Sequence, residues 1–165
     1  MIPRTAKIAL VAAVALFYSV FAFNNLADYG SNYQFVYHVL RMDSTFPGNR
    51  LMGRAITSPI VIQGFYLSII AWEIITTILL WWGVVRMTRV LRSPARVFHG
   101  AKRLASAALT ISLLMWLTAF LTVGGEWFLM WQSPVWNGQN AAFRNFAVVG
   151  IVLLILSQGE SEVQK

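Results

Sequence analysis

Largely apolar stretches with almost no charge recur four times along the chain, at about residues 8–26, 59–85, 104–124 and 141–157. One acid, Glu73, interrupts the second, and one base, Arg144, stands near the start of the fourth. Charges, amides and turn residues collect between them. A hydrocarbon layer about 30 Å thick is crossed by roughly 20 helical residues at about 1.5 Å each, so every stretch is close to a span in length. None shows the two-residue alternation of a barrel strand. Lipid gives the backbone no hydrogen-bond partner, so the pattern predicts helices. The expected fold is all-α, a polytopic membrane protein whose residues 1–165 form one four-helix transmembrane bundle. Two ordered extracytoplasmic loops, at 27–58 and 125–140, and a basic cytoplasmic loop at 86–103 would join the helices.

Composition supports lipid as the solvent: 58% of residues are hydrophobic and 12% charged, against about half and a quarter in soluble domains. The chain has no cysteine, which excludes disulfides, thiolate metal sites, iron–sulfur clusters and a cysteine nucleophile. Thirteen bases against six acids give a net charge of +7. In a soluble protein that excess would suggest nucleic acid, but here it first sets orientation.

Lys- and Arg-rich short loops stay in the cytoplasm. The link between the second and third spans carries Arg86, Arg89, Arg92, Arg96, Lys102 and Arg103 with no acid among them. With four spans it shares a side with both termini, where Arg4, Lys7 and Lys165 add to it, against Arg41, Arg50, Arg54 and Arg144 opposite. Both termini are therefore expected in the cytoplasm. Topology accounts for the basic run, with contact between Arg86–Arg103 and anionic lipid head groups as its by-product, and nucleic acid is not an expected partner. Arg4 and Lys7 before an apolar stretch also describe a secretory signal, with Val20-Phe21-Ala22 as a cleavage site. The length of that stretch and the bulk of Phe21 and Phe23 favour a retained helix.

Ala9 with Ala13, Ala101 with Ala105, and Ala108 with Ser112 have the four-residue spacing that lets helices approach closely, and helix packing within the bundle is their expected role. Glu73, midway along the second span, is the most informative residue. A carboxyl group there costs about 2.5–3.5 kcal/mol on insertion scales, so it should face the bundle and be protonated or paired. Tyr66, Thr76 and Thr77 share its helix face, and Ser68 and Gln63 extend that polar stripe. Two readings stand: a proton or cation site in a small transporter, or an interhelical hydrogen bond that locks the bundle. Glu126 ends the third span and Arg144 opens the fourth, so an ion pair fixing the register of that hairpin is expected, with a substrate site as the alternative.

The outer loops are dense in aromatics and amides. Residues 32–42 have the pattern of an amphipathic interfacial helix with Phe35, Val39 and Met42 inward, ended by Asp43 and Pro47. An aromatic belt at the head groups explains much of this composition. The amides beside the aromatics raise an alternative, a polar cap that binds a partner or a small molecule, with Asp28, Tyr29, Asn32, His38, Asp43, Trp131, Gln132, Trp136 and Asn137 as candidates.

Asn24-Asn25, Asp28-Tyr29, Ser31-Asn32, His38-Val39, Met42-Asp43 and Phe46-Pro47 carry a resemblance together with Gly125-Glu126-Trp127-Phe128, Met130-Trp131-Gln132-Ser133, Trp136-Asn137-Gly138-Gln139 and Phe143-Arg144. The chain resembles an uncharacterised bacterial family of predicted small integral membrane proteins over nearly its whole length. That resemblance implies a proteobacterial inner-membrane protein and supplies no activity.

A haem in such a bundle would need histidines at membrane depth, whereas His38 and His99 fall in loops on opposite sides. No nucleotide-binding, zinc-protease or nucleophile-elbow motif occurs. His38 with Asp28 and Asp43 offers at most a weak acid–base or metal site. No cofactor and no enzymatic activity are therefore expected. The leading expectation is a non-enzymatic accessory or interaction subunit of a membrane assembly, bound to another membrane protein or to a second copy of itself. The runner-up is a small transporter or proton- or cation-coupled protein using Glu73.

Overall fold

The computed structural model describes residues 2–160, and among them there is no strand. Helix α1 spans Arg4–Ala27, α2 Tyr29–Arg41, α3 Pro59–Arg89, α4 Ala95–Leu114 and α5 Gln139–Ser157. A π-helical segment, Met115–Trp127, continues α4 without a break. Short 3₁₀ turns lie at Met52–Arg54 and Met130–Gln132. Four helices are long and apolar enough to cross a membrane: α1, α3, α4 with its π-helical continuation, and α5.

Local chemistry sets several boundaries. Pro59 opens α3 and Pro94 precedes α4, positions where a missing N–H costs nothing. Asp28 leaves helical geometry between α1 and α2, with φ −119° and ψ 58°. Met42 ends α2 in the left-handed region at φ 55°, held there by a side chain only 2% exposed. The stop is thus Met42 itself rather than Asp43 or Pro47. The interfacial helix begins at Tyr29, earlier than its amphipathic pattern suggested, and buries Val36 and Leu40 beside Val39 while Phe35 stays half-buried.

Helix α3 is central, touching α1, α2 and α4, while α5 closes on α4, the π-helical segment and α1. The inward stripe of α1 is Lys7, Val11, Val14, Ala15, Tyr18, Ala22 and Asn25, spaced three and four apart as a helix face requires. Ala101, Ala105, Ala108 and Ser112 form the small-residue face of α4. A Cβ on Gly83 would lie 2.9 Å from that of Ala105, so α3 and α4 meet too closely for any side chain there. Ala9 and Ala13 are exposed and take no part in packing; their spacing matched, but the inward stripe of α1 runs along another face. A second apolar cluster, Val36, Val39, Leu40, Ile62, Tyr66 and Ile70 with Phe128–Met130, fixes α2 over the first half of α3.

The start of α1, the end of α5 and the α3–α4 link gather at one end of the bundle. Arg4 donates to the carbonyls of Leu91 and Ser93 at 3.0 and 2.6 Å. Lys7 and Lys102 both donate to Glu160 Oε1, at 2.7 and 2.6 Å, and to backbone carbonyls at the end of α5. The negative end of the α5 dipole adds to this attraction. Lys7 and Lys102 are 1% and 3% exposed. Two of the bases that mark the basic side are therefore structural, and Lys102 leaves the set available to head groups. Lys165 lies outside the described residues.

An intramembrane polar cavity

Glu73 lies 13 residues from Arg86 along α3, about 20 Å of helix. It is 1% exposed and faces the bundle, as the cost of a carboxyl group in lipid demands. Asn25, near the end of α1, donates Nδ2 to Glu73 Oε2 at 2.7 Å. The Tyr66 hydroxyl, two turns away on α3, donates to the Asn25 backbone and side-chain oxygens at 3.1 and 3.2 Å. Asn25 thus links the carboxyl and the phenol, and no other hydrogen bond reaches the Glu73 carboxyl among the described residues. Thr77 turns back to the Glu73 carbonyl, Thr76 Oγ1 is buried without a partner among the described residues, and Ser68 and Gln63 are exposed. The stripe on α3 contributes Tyr66 and Glu73 to the site and little else.

These groups open into a cavity of about 290 Å³ that Asn32, Arg144 and Asn145 also line. Asn145 is 5% exposed yet has no hydrogen-bond partner among the described residues. Trp116 and Phe120 of the π-helical segment, with Phe21 and Phe35, supply aromatic wall. Behind Trp116, its Nε1 donates to the Tyr18 hydroxyl at 2.7 Å, which in turn bonds Ser112. A second hollow of about 270 Å³, almost wholly apolar, lies between α2, α3 and the π-helical segment. Phe35, Val36, Ile69 and Phe120 form a wall common to both.

The expected Glu126–Arg144 pair does not form. Gln139 Nε2 lies 3.5 Å from Glu126 Oε1 instead. Gln139 is the first residue of α5, so Arg144, five residues on, is more than a turn further along the helix and joins the wall of the Glu73 cavity. Glu126 is exposed and stands apart from that cavity.

The two ordered loops grip one another. Ser44 bonds Ser133 at 2.7 Å, and the Phe46 N–H donates to Gln132 Oε1 at 3.1 Å. Phe46 meets Trp131 edge-on, while Trp136 stacks on His38 at 4.6 Å and meets Phe35. Arg54 lies over the Trp127 ring at 4.4 Å. His38 Nδ1 faces Asp43 at 2.9 Å, whereas Asp28 stands exposed at the α1–α2 junction and makes no contact with either among the described residues. Among the described residues no three His, Asp or Glu side chains gather as a metal centre. Asn137 Oδ1 accepts from the Gln139 N–H at the start of α5, and Asn32 donates to the Asp28 carbonyl at 3.1 Å. Tyr29 packs edge-on against Tyr66, its hydroxyl buried and without a partner among the described residues. Of the loop candidates, only Asn32 reaches the cavity wall; Gln132, Trp131, Trp136, His38, Asp43 and Asn137 hold the cap together.

Sequence reasoning missed Asn25, Tyr18 and Asn145. Asn25 fell at the very end of the first apolar stretch, beside the amide-rich outer loop, and its distance of 48 residues from Glu73 gave no local signal.

Four apolar helices around a buried polar network define a small polytopic helical membrane protein. The chain belongs to the family described as predicted small integral membrane protein (DUF2165), whose profile covers residues 3–159. Neither the curated proteins nor the solved structures give a match.

Proposed function

We propose that this protein is a small, non-enzymatic membrane protein that takes up protons or a small cationic solute at Glu73, as part of a coupled flux. The observation that carries this reading is a buried carboxyl with one hydrogen-bond donor, facing a cavity that also holds the unpartnered amide of Asn145. A group fixed only to lock two helices has no need of that open space. Arg144 on the same wall sets a positive edge to the cavity and would hold the anionic part of a solute whose cationic part meets Glu73. The Lys and Arg distribution orients the cavity toward the outer face of a bacterial inner membrane, with both termini in the cytoplasm.

The test is flux into liposomes carrying a luminal pH dye, driven in turn by proton, sodium, potassium and tetramethylammonium gradients. The wild type should conduct in at least one, and Glu73→Gln should abolish that flux with insertion and elution profile unchanged. Wild-type liposomes indistinguishable from empty ones remove the reading.

A second reading, an accessory subunit of a larger assembly, is favoured by the exposed apolar groups of the cap, with Phe46 at 55%, Trp131 at 44% and Val135 at 71%. Mild extraction should then recover the chain in a larger complex that Trp131→Ala weakens. Recovery only as monomer or homo-oligomer counts against it.

A further inference from the structure

The last turn of α3 and the first three turns of α4 border an open hollow of about 610 Å³. Arg86 and Arg89 enter it from α3 and Arg103 from α4, over a floor that includes Val90, Val97 and Ala101. No acid lines it. The bias of basic residues toward one side accounts for charge at this end of the bundle, but it is indifferent to where on that surface each base stands. Here three guanidinium groups from two helices border a single concavity.

The other bases nearby show the contrast. Arg4 caps backbone carbonyls, and Lys7 and Lys102 are committed to Glu160. Arg86, Arg89 and Arg103 are exposed and make no hydrogen bond or ion pair among the described residues. Three like charges around one hollow repel unless an anion lies between them, and the planar guanidinium fork matches the oxygens of a phosphate. Val85 and Val97, 43% and 48% exposed, carry the apolar surface of the helices up to this site. A phosphate held here can therefore keep an acyl-bearing glycerol in the adjoining leaflet.

We propose that this hollow is a phosphate-binding site, filled by the phosphate of an anionic phospholipid head group or by free phosphate. It is independent of the chemistry at Glu73. The phospholipid arm uses native mass spectrometry of protein taken from bilayers of phosphatidylcholine mixed with phosphatidylglycerol. The wild type should retain phosphatidylglycerol preferentially, and the triple variant R86Q/R89Q/R103Q should lose about fivefold or more of that enrichment. R92Q/R96Q, which removes exposed bases from the same link but outside the hollow, should retain it. The free-phosphate arm titrates inorganic phosphate into nanodiscs of pure phosphatidylcholine and follows phosphorus NMR broadening, which the triple variant should abolish. Because neutralising three bases also removes orienting charge, R86K/R89K/R103K provides a variant that keeps topology but lacks the forks, with at least about twofold loss expected.

Enrichment in the lipid arm identifies a head group as the source, and saturable broadening in the other identifies free phosphate. Absence of both in the wild type overturns the proposal. So does an equal loss in R92Q/R96Q, or no loss in either triple variant.

Discussion

Replacing Glu160 with alanine should cost about 3 kcal/mol of stability, the lower part of the range for removing one member of a buried ion pair, since the end of α5 lies close to water. Lys7 and Lys102 share Glu160 Oε1 at 2.7 and 2.6 Å, and all three side chains are no more than 4% exposed. Without the carboxylate, two ammonium groups face each other with only backbone carbonyls to satisfy them. Burial pushes the Glu160 carboxyl up, but the hydrogen bonds and charges of Lys102 and Lys7 outweigh burial and hold it below its ordinary 4.5. The sign follows: a depressed folded-state value makes the contribution complete above about pH 4.5 and lost as pH falls through the lower folded value. Thermal unfolding in detergent should separate wild type from E160A by several degrees at pH 7, and the gap should close on acidification. Equal midpoints at pH 7, or a gap unchanged well below pH 4, would refute this account.

Asn25→Leu should be the next most damaging substitution, at about 2 kcal/mol, because one side chain serves both the Glu73 carboxyl and the Tyr66 hydroxyl. Single interhelical hydrogen bonds in membranes average about 0.6 kcal/mol, so the loss of the two side-chain bonds, with the desolvation cost of a carboxyl left without its donor, reaches that size. A double-mutant cycle with Tyr66→Phe measures the linkage. Coupling of about 1 kcal/mol is expected, since removing the phenol first spares Asn25 one of its partners. Strict additivity would show that the two groups act separately. N25L should also abolish any flux that depends on Glu73, by leaving its carboxyl unaimed, whereas Tyr66→Phe should reduce it less.

The spans were legible because twenty-odd apolar residues have one physical meaning in a bilayer, and the interfacial helix was legible over 32–41, though not in its first turn from Tyr29, because its apolar positions recur every three or four residues. Glu73 was legible as a residue that must face inward, for the same reason of solvation. Its partner was not, since the approach of α1 to α3 depends on which stripe of α1 turns inward, and two alanines with the right spacing pointed to the wrong stripe. The Glu126–Arg144 expectation failed on depth along α5, which the sequence marks only by the onset of apolar residues near 141. Bases could be assigned to a side by counting, but counting cannot separate Lys102, buried against Glu160, from Arg103 beside it on the surface. The π-helical geometry of Met115–Trp127 left no trace in the spacing of its mostly apolar residues.

That segment has a consequence for how the family diverges. A turn that closes five residues back instead of four holds one residue more than its α-helical counterpart, so the chain around Trp116 and Phe120 stores surplus length within an otherwise continuous rod. Deleting a single residue there can be absorbed by converting one π turn to an α turn, which keeps both flanks in register, whereas in a regular helix the loss of one residue rotates everything on one side by about 100°. The other three rods have no such slack, and the same deletion in α3 would swing Glu73 toward lipid. Insertions and deletions tolerated among homologues should therefore gather in this one wall, resizing both hollows while the carboxyl keeps its place.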